Sequence, residues 1–375
     1  MHLAAAIVLS FWILIFIQTI ANLATIPRLR RDQNPENRPF VSIVIPARNE
    51  ARTIERSVRA FLAQDYGNFE VIVVNDRSTD ATGDILRALV DPRLTVIDGA
   101  EPPDGWLGKP WALEQATSRA RGEVLLIVDA DLIYAPEALR AAVAAMESEK
   151  AALITLLPHF EMGSLGEQIA MPMLALVALS MLPLWQANRS RSPRLALGGG
   201  SGILIRRDVF DAVDGFRPLK GAVVDDVGLA RHVREHGEAT RAVMADDLVR
   251  VRMYYSAGDV IEGFTKNIFM VIERSYIAGF FWLALVVILH LGPYALALTG
   301  NAIAIAIVVV ITLIRLVLFR SLRYPLLNAL FLHPFMMMLW AWILLRSMWF
   351  TGVRNELRWR GRMYNAAQTR FGAER

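Results

Sequence analysis

The sequence predicts an α/β domain with a mostly parallel, doubly wound sheet, set between membrane-spanning segments towards the two ends of the chain. Three observations carry this. Between about residues 40 and 274, short continuous apolar runs alternate with stretches of helical periodicity, the pattern of strands buried on both faces and joined by crossover helices. Long apolar blocks lie outside that region, one over residues 3–26 and three after residue 276. Hydrophobic residues make up 54% of the 375, and their concentration in those blocks excludes an ordinary soluble protein.

The first block is apolar apart from Gln18, Thr19, Asn22 and a few small residues, and is long enough to span a bilayer. It lacks the basic start and small-residue cleavage site of a signal peptide, so residues 1–27 read as an uncleaved anchor. Arg28, Arg30, Arg31 and Arg38 follow it, and by the positive-inside rule the domain at 40–274 begins in the cytoplasm. Residues 277–294, 302–319 and 326–350 form the C-terminal membrane helices, with Arg315, Arg320 and Arg323 read as the cytoplasmic flank of the second. His333-Pro334 interrupts the third block, and the basic tail at 351–375 would break the charge rule if that block crossed. It is therefore expected to stay on one side. Within the tail, Arg358-Trp359-Arg360-Gly361-Arg362 suits a membrane–water interface. The expected location is a cell membrane, with the domain at 40–274 on its cytoplasmic face and the bilayer itself a partner. Cysteine is absent, which excludes disulfides and thiolate chemistry, and no nucleic-acid partner is expected at a net charge of +4.

Within the domain the first strand, 41–45, ends at Pro46 and leads into Ala47-Arg48-Asn49-Glu50. A helix follows over 51–63, with Ile54, Val58, Phe61 and Leu62 on one face. The second strand, 70–74, closes on Asn75-Asp76-Arg77-Ser78-Thr79-Asp80; a helix at 82–89 and a strand at 94–97 come next. The stretch 105–112 contains Lys109, one of four lysines, and opens a helix reaching about residue 120. Strand 124–128 then runs into Asp129-Ala130-Asp131. Three strands thus end in polar loops on one edge, where open α/β sheets bind their ligands. Period-2 alternation would turn Asp129 and Asp131 to the same side, within reach of one hard cation. An acidic turn or helix cap is the plain alternative. No G-x-G-x-x-G follows the first strand and no P-loop occurs, so a bound nucleotide would rest on carboxylates, a metal and isolated cations.

The second half begins with an apolar run at 169–185 broken by Pro172 and Pro183. A crossing there would split one active site across the membrane, so an interfacial helix is expected, with Arg189, Arg191 and Arg194 near lipid phosphates. Gly198-Gly199-Gly200-Ser201-Gly202 allows close backbone approach to a ligand, or is a flexible turn before a strand. Asp225-Asp226 opens a helix, which also carries His232-Val233-Arg234-Glu235-His236, a match to the H-x-x-E-H pattern of some zinc proteases.

Val44-Ile45-Pro46-Ala47-Arg48-Asn49-Glu50, the Val74–Asp80 loop and Asp129-Ala130-Asp131 together resemble the three N-terminal signatures of family 2 glycosyltransferases of the GT-A fold. With 105–112, 198–205 and the anchors, the likeness narrows to the membrane-bound branch of hopene-associated glycosyltransferases, akin to ceramide glucosyltransferase and carotenoid glycosyltransferases, over about 41–267. The resemblance implies that Pro46, Arg48 and Glu50 line the base and ribose pocket and that Asp76 contacts the base. It implies that Asp129 and Asp131 hold Mg2+ or Mn2+ on the donor diphosphate, with Lys109 placed for a phosphate. Asp225-Asp226 stands at the family's Thr-Glu-Asp motif, with Val224 for Thr and Asp225 for Glu. By position Asp226 is the general base and Asp225 orients it. Gly200, Ser201, Tyr254 and Lys266 would serve the acceptor or diphosphate end. Arg252-Met253-Tyr254-Tyr255 stands in place of the Gln-x-x-Arg-Trp of processive members, which argues against a polysaccharide synthase. The implied function is inverting, metal-dependent transfer from a nucleotide-sugar donor, UDP-linked, to a membrane lipid acceptor with a hopanoid link. The alternative from another class is a catalytically silent membrane protein that binds nucleotide sugars.

Overall fold

A computed structural model describes residues 2–266, 268–359 and 362–365. Asn267, at the edge of the family likeness, and Arg360 and Gly361 of the tail motif lie outside the described residues. The described residues gather into two compact units. One joins the N-terminal stretch up to Ile26, Met162–Gln186 and the chain from Tyr254 onward; the other joins Pro27–Glu161 with Ala187–Met253.

In the first unit α1 (His2–Thr25) is an uncharged helix. Its two side-chain amides, Gln18 and Asn22, have specific partners, because an unpaired amide in an apolar setting is costly. Gln18 donates to Ser180 O at 2.5 Å, while Asn22 donates to Leu179 O and Leu182 O at 2.9 and 2.7 Å. Asn22 also accepts the Trp185 N–H at 3.0 Å. The backbone groups that Pro183 frees in the short apolar segment are thus satisfied by α1. Among the described residues, four helices are long and apolar enough to cross a membrane: Leu3–Thr25, Tyr276–Ala297, Ala302–Leu322 and His333–Val353. Leu165–Met181 is apolar but shorter than the ~20 residues a span needs.

One expectation holds and one changes here. The third C-terminal block is interrupted at His333-Pro334: the helix Leu326–Phe331 ends, and a second starts at His333 with Pro334 in its first turn, where a missing N–H breaks no bond, and has spanning length to Val353. Arg315 is not a flanking charge: it lies inside the Ala302–Leu322 helix and is buried. Its guanidinium donates to Ala329 O at 3.1 Å and Asn328 O at 3.0 Å, carbonyls near the end of the short helix Leu326–Phe331.

The second unit is built on a seven-stranded sheet. Its strands are β1 (Val41–Ala47), β2 (Phe69–Asn75), β3 (Leu94–Asp98), β4 (Val124–Ile127), β6 (Leu153–Leu157), β8 (Ile203–Arg206) and β9 (Thr240–Met244), in the order β3-β2-β1-β4-β8-β6-β9. Every pairing is parallel except those of β8, which runs antiparallel to both β4 and β6. A small sheet joins β5 (Leu132–Tyr134), β10 (Val249–Val251) and β7 (His159–Phe160).

Strand alternation sorts the core into two layers. Val41, Ile43 and Ile45 of β1, with Val124 and Leu126 of β4, pack among residues of α2 (Ile54–Leu62) and α5 (Ala138–Ser148). Val44 of β1, with Leu125 and Ile127 of β4, packs among residues of α4 (Gly108–Thr117) and the helix Asp225–Glu235. A strand covered on both faces has no solvent side to mark with polar residues, which is why these runs are continuously apolar. The remaining crossover helix is α3 (Thr82–Ala88). This arrangement brings the loops after β1, β2 and β4 to one edge of adjacent strands.

Candidate active site

At that edge the β1 and β2 loops are tied together. Arg48 donates to Asp76 O at 2.7 Å and Arg77 O at 3.0 Å, and the Asp76 N–H donates to Ala47 O at 2.8 Å. Asn49 accepts from Thr79 N–H at 2.8 Å, and the Glu50 N–H donates to Thr82 Oγ1 at 2.8 Å. Asn49 and Arg77 adopt left-handed backbone, with φ of 53° and 52°. Loops locked this way present a preformed rim, and the Asp76 carboxylate is buried in it.

Asp129 and Asp131 fall beyond the end of β4, in a turn, so strand alternation does not orient them. The turn is held by the glycine run instead: the Asp129 N–H donates to Gly200 O at 2.8 Å. A Cβ on Gly200 would lie 2.0 Å from Asp129 Oδ2, and one on Gly198 would lie 2.1 Å from the Asp226 carbonyl oxygen. The glycines therefore allow close approach to the two acidic pairs of the protein itself. Gly200→Ala must push the Asp129 carboxylate aside, a movement a side-chain end makes cheaply. The expected result is a loss of about 100-fold in kcat/KM with little change in thermal stability. Assay of the purified variant beside its melting curve checks this.

Lys109, in the first turn of α4, reaches between the two acidic pairs. Its Nζ is 2.8 Å from Asp129 Oδ1 and 3.4 Å from Asp225 Oδ1. Asp226 stands beside Asp225 in the first turn of its helix and accepts the Val227 N–H at 2.7 Å. Both carboxylates gain from the positive end of the helix dipole. Burial pushes Asp225 up to about 6, with Lys109 opposing and Asp226 and Asp129 adding to the rise. Asp226 is raised as well, again by burial and against the pull of Lys109. Burial alone would lower Lys109, but Asp129, Asp225 and Asp226 outweigh it and hold the ammonium well above the ordinary lysine range. One cation thus faces three acids, and the excess negative charge would repel a diphosphate unless a further cation joined it.

The residues fit a hard divalent ion. The Lys109 ammonium already stands at hydrogen-bond distance from Asp129, where positive charge is favoured, and Asp131 is two residues away in the same turn. Among the described residues no group of three His, Asp or Glu side chains is arranged to hold a metal alone. The remaining ligands would then be phosphate and water oxygens, the usual habit of Mg2+ in nucleotide sites. The zinc reading of His232 and His236 loses its ligand set. His232 Nε2 is 3.1 Å from Val213 O, its Nδ1 is 3.5 Å from Glu235, and among the described residues no third ligand joins them.

Of the residues singled out in the sequence, Pro46, Lys109, Asp129, Gly200, Asp225 and Asp226 line one small cavity of about 10 Å³, roughly the room of a single water. Arg48, Glu50 and Asp76 are not among its lining and lie in the joined loops after β1 and β2. Ser201 faces elsewhere: its Oγ donates to Leu156 O at 2.6 Å, and its carbonyl accepts the Tyr134 hydroxyl at 2.7 Å. Tyr254 and Lys266 belong to the first unit, where the Tyr254 ring lies 5.4 Å from that of Phe264 and Lys266 caps the end of the helix Ala257–Thr265. Sequence reasoning placed Lys109 on a phosphate and missed its carboxylate bridge. It reads the run from Gly198 to Gly202 as clearance for a ligand, whereas Gly198 gives clearance to the Asp226 backbone.

A parallel sheet with an acidic pair after β4, facing a second acidic pair across a glycine run, defines a domain of the GT-A glycosyltransferase fold. Residues 42–214 match the family described as Glycosyl transferase family 2, and the chain carries a domain of that family. Among curated relatives, a probable glycosyltransferase of Bacillus subtilis is 26% identical over 51% of this chain and 46% of its own length. A beta-monoglucosyldiacylglycerol synthase of Trichormus variabilis is 28% identical over 54% of this chain and 43% of its own. The match spans a little under half the length of each of these relatives. A solved mannosyltransferase from Pyrobaculum calidifontis, in complex with GDP-Man and Mn2+, superposes with a TM-score of 0.58 at 20% identity, over 92% of this chain and 96% of its own. That likeness extends to the fold.

Proposed function

We propose that this protein transfers a glycosyl unit from a nucleotide-sugar donor, UDP-linked, to a hydroxyl group of a membrane lipid, with inversion at the anomeric carbon and with Mg2+ or Mn2+. The observation that carries the reading is the Asp129–Lys109–Asp225 bridge with Asp226 beside it, at the loop edge of a family 2 domain. Arg48 and Asp76 form the base end of the donor site, and Asp129 with Asp131 the diphosphate end. A bound divalent ion would neutralise charge on the departing nucleoside diphosphate. Asp225 holds Lys109 in place, which leaves the neighbouring Asp226 carboxylate to take the acceptor's hydroxyl proton. As that oxygen bonds to the anomeric carbon, the carbon–phosphate-oxygen bond breaks, and its electron pair leaves with the nucleoside diphosphate.

A lipid acceptor is supported by the four helices of spanning length and by the diacylglycerol-glycosylating relative. The sequence likeness adds a hopanoid-related acceptor as the first to test. Arg28, Arg30, Arg31 and Arg38 after the first span support a cytoplasmic catalytic unit. The deciding experiment incubates membranes holding the protein with a panel of labelled UDP- and GDP-sugars, with and without EDTA, and extracts the lipids. Label in a β-linked lipid from an α-linked donor, lost with EDTA and restored by Mg2+ or Mn2+, is the expected result. Label confined to polymer, or no transfer from any donor, overturns the reading.

A further inference from the structure

On the outer side of α4, away from the residues assigned to transfer, lies a cavity of about 550 Å³. That volume falls in the range of small-molecule sites, about 300–1,000 Å³. Trp106 and Trp111 supply its apolar wall, with ring centroids 5.2 Å apart and planes at 63°. The platform is fixed by bonds of its own. The Trp111 indole N–H donates to Ala100 O at 3.1 Å, while Gln115 accepts the Ala100 N–H at 2.8 Å and donates to Trp111 O at 3.2 Å. Glu114, Ser118, Arg217 and Lys220 stand around the rim. Arg217 is 3.4 Å from Glu114 and 3.1 Å from Asp214, a residue outside the lining, so its charge is met by carboxylates.

We propose that this cavity is a second carbohydrate site, taking a neutral hexopyranosyl group apart from the donor and acceptor positions of the transfer reaction. A pyranose has an apolar C–H face and a ring of hydroxyls. The indole pair matches the first, as aromatic surfaces match apolar ones. Carboxylate, amide, hydroxyl and cationic groups at the rim match the second by accepting and donating. Arg217 is held by two carboxylates, which leaves an anionic ligand little unopposed positive charge from it. The site is also joined to the catalytic one. The Leu107 N–H, two residues before Lys109, donates to Lys220 O at 2.7 Å, and the loop bearing Lys220 runs directly into Asp225.

The test reads binding alone, so it stands whether or not the transfer reaction is as proposed. The full chain, in lipid nanodiscs free of glycosidic detergent, is titrated with methyl β-D-glucopyranoside and followed by saturation-transfer NMR. Saturable binding is expected in the wild type. It should weaken about tenfold, the equivalent of about 1.4 kcal/mol, in Trp111→Ala and in Ser118→Trp, and stay unchanged in Asp129→Asn. Ser118 is exposed, so the blocking variant decides the matter if Trp111→Ala fails to fold. No binding in the wild type, undiminished binding in Ser118→Trp, or binding lost in Asp129→Asn would each overturn the assignment.

Discussion

Asp226→Asn is expected to reduce sugar transfer by about 100- to 10,000-fold, the usual worth of a positioned general base, while donor binding and folding are kept. Asparagine matches aspartate in shape, and its carbonyl oxygen can still accept the Val227 N–H that Asp226 accepts at 2.7 Å. What it loses is the capacity to take a proton from the acceptor hydroxyl as the new bond forms. Turnover with labelled donor, set beside equilibrium binding of the nucleoside diphosphate, separates the chemical step from recognition. A near-wild-type rate in this variant, with collapse in Asp225→Asn, would move the base by one residue. The wild-type geometry disfavours that exchange, because Asp225 is already committed to Lys109.

Lys109→Met is expected to damage both stability and the pH profile. Methionine keeps much of the side-chain length and removes the charge, leaving Asp225, whose side chain is 6% exposed, without its cation. Removing one partner of a buried pair costs about 3–5 kcal/mol. The lower end applies here because the Asp129 side chain is 41% exposed and water relieves it. A loss near 3 kcal/mol corresponds to a fall of about 6–12 °C in Tm for a unit of this size. The pH effect has a definite sign. A carboxylate base works ionised, and burial raises both Asp225, to about 6, and Asp226. Wild-type kcat/KM should therefore fall as pH drops through a range above the ordinary carboxylate value of about 4. Lys109 is the group holding both carboxylates down, so the residual activity of Lys109→Met should lose its acid limb at higher pH than the wild type. An unmoved acid limb would show that the bridge does not act on the base. For stability, the folded protein binds the Asp225 proton more tightly than the unfolded chain, so this group's contribution weakens as pH rises from 3.8 towards 6.

Much of the sheet is legible because its signals are local. The runs 41–45, 70–74, 94–97 and 124–128 are strands in the structure, each extended or trimmed by a residue or two at its ends. Helix 51–63 is shorter than its pattern, running from Ile54 to Leu62, because the left-handed residue Asn49 and the turn after it delay its start. Strand alternation would turn Asp129 and Asp131 to a common side, but the chain leaves the strand after Ile127. His333-Pro334 reads as an interruption of the block at 326–350, and the helix does break there, between Phe331 and His333; the proline lies in the first turn of the next helix, where its missing donor costs nothing.

Near-neighbour patterns in the chain are enough for the succession of strands and helices, the edge at which the loops gather, the apolar segments of spanning length and the identity of the acidic residues. Each of these follows from near neighbours in the chain, through apolar periodicity and residue type. Tertiary structure alone decided what those acids meet. Residues 109, 129, 200 and 226 come from α4, the turn after β4, the glycine run before β8 and a helix N-terminus, and no spacing in the sequence encodes their approach. That approach makes Lys109 a bridge between carboxylates, turns Gly198 and Gly200 into the clearance the two acidic pairs require, and raises Asp225 and Asp226 by burial. Distances and desolvation belong to the packed molecule, so the chemistry of this site could be read only once the sheet and its helices were assembled.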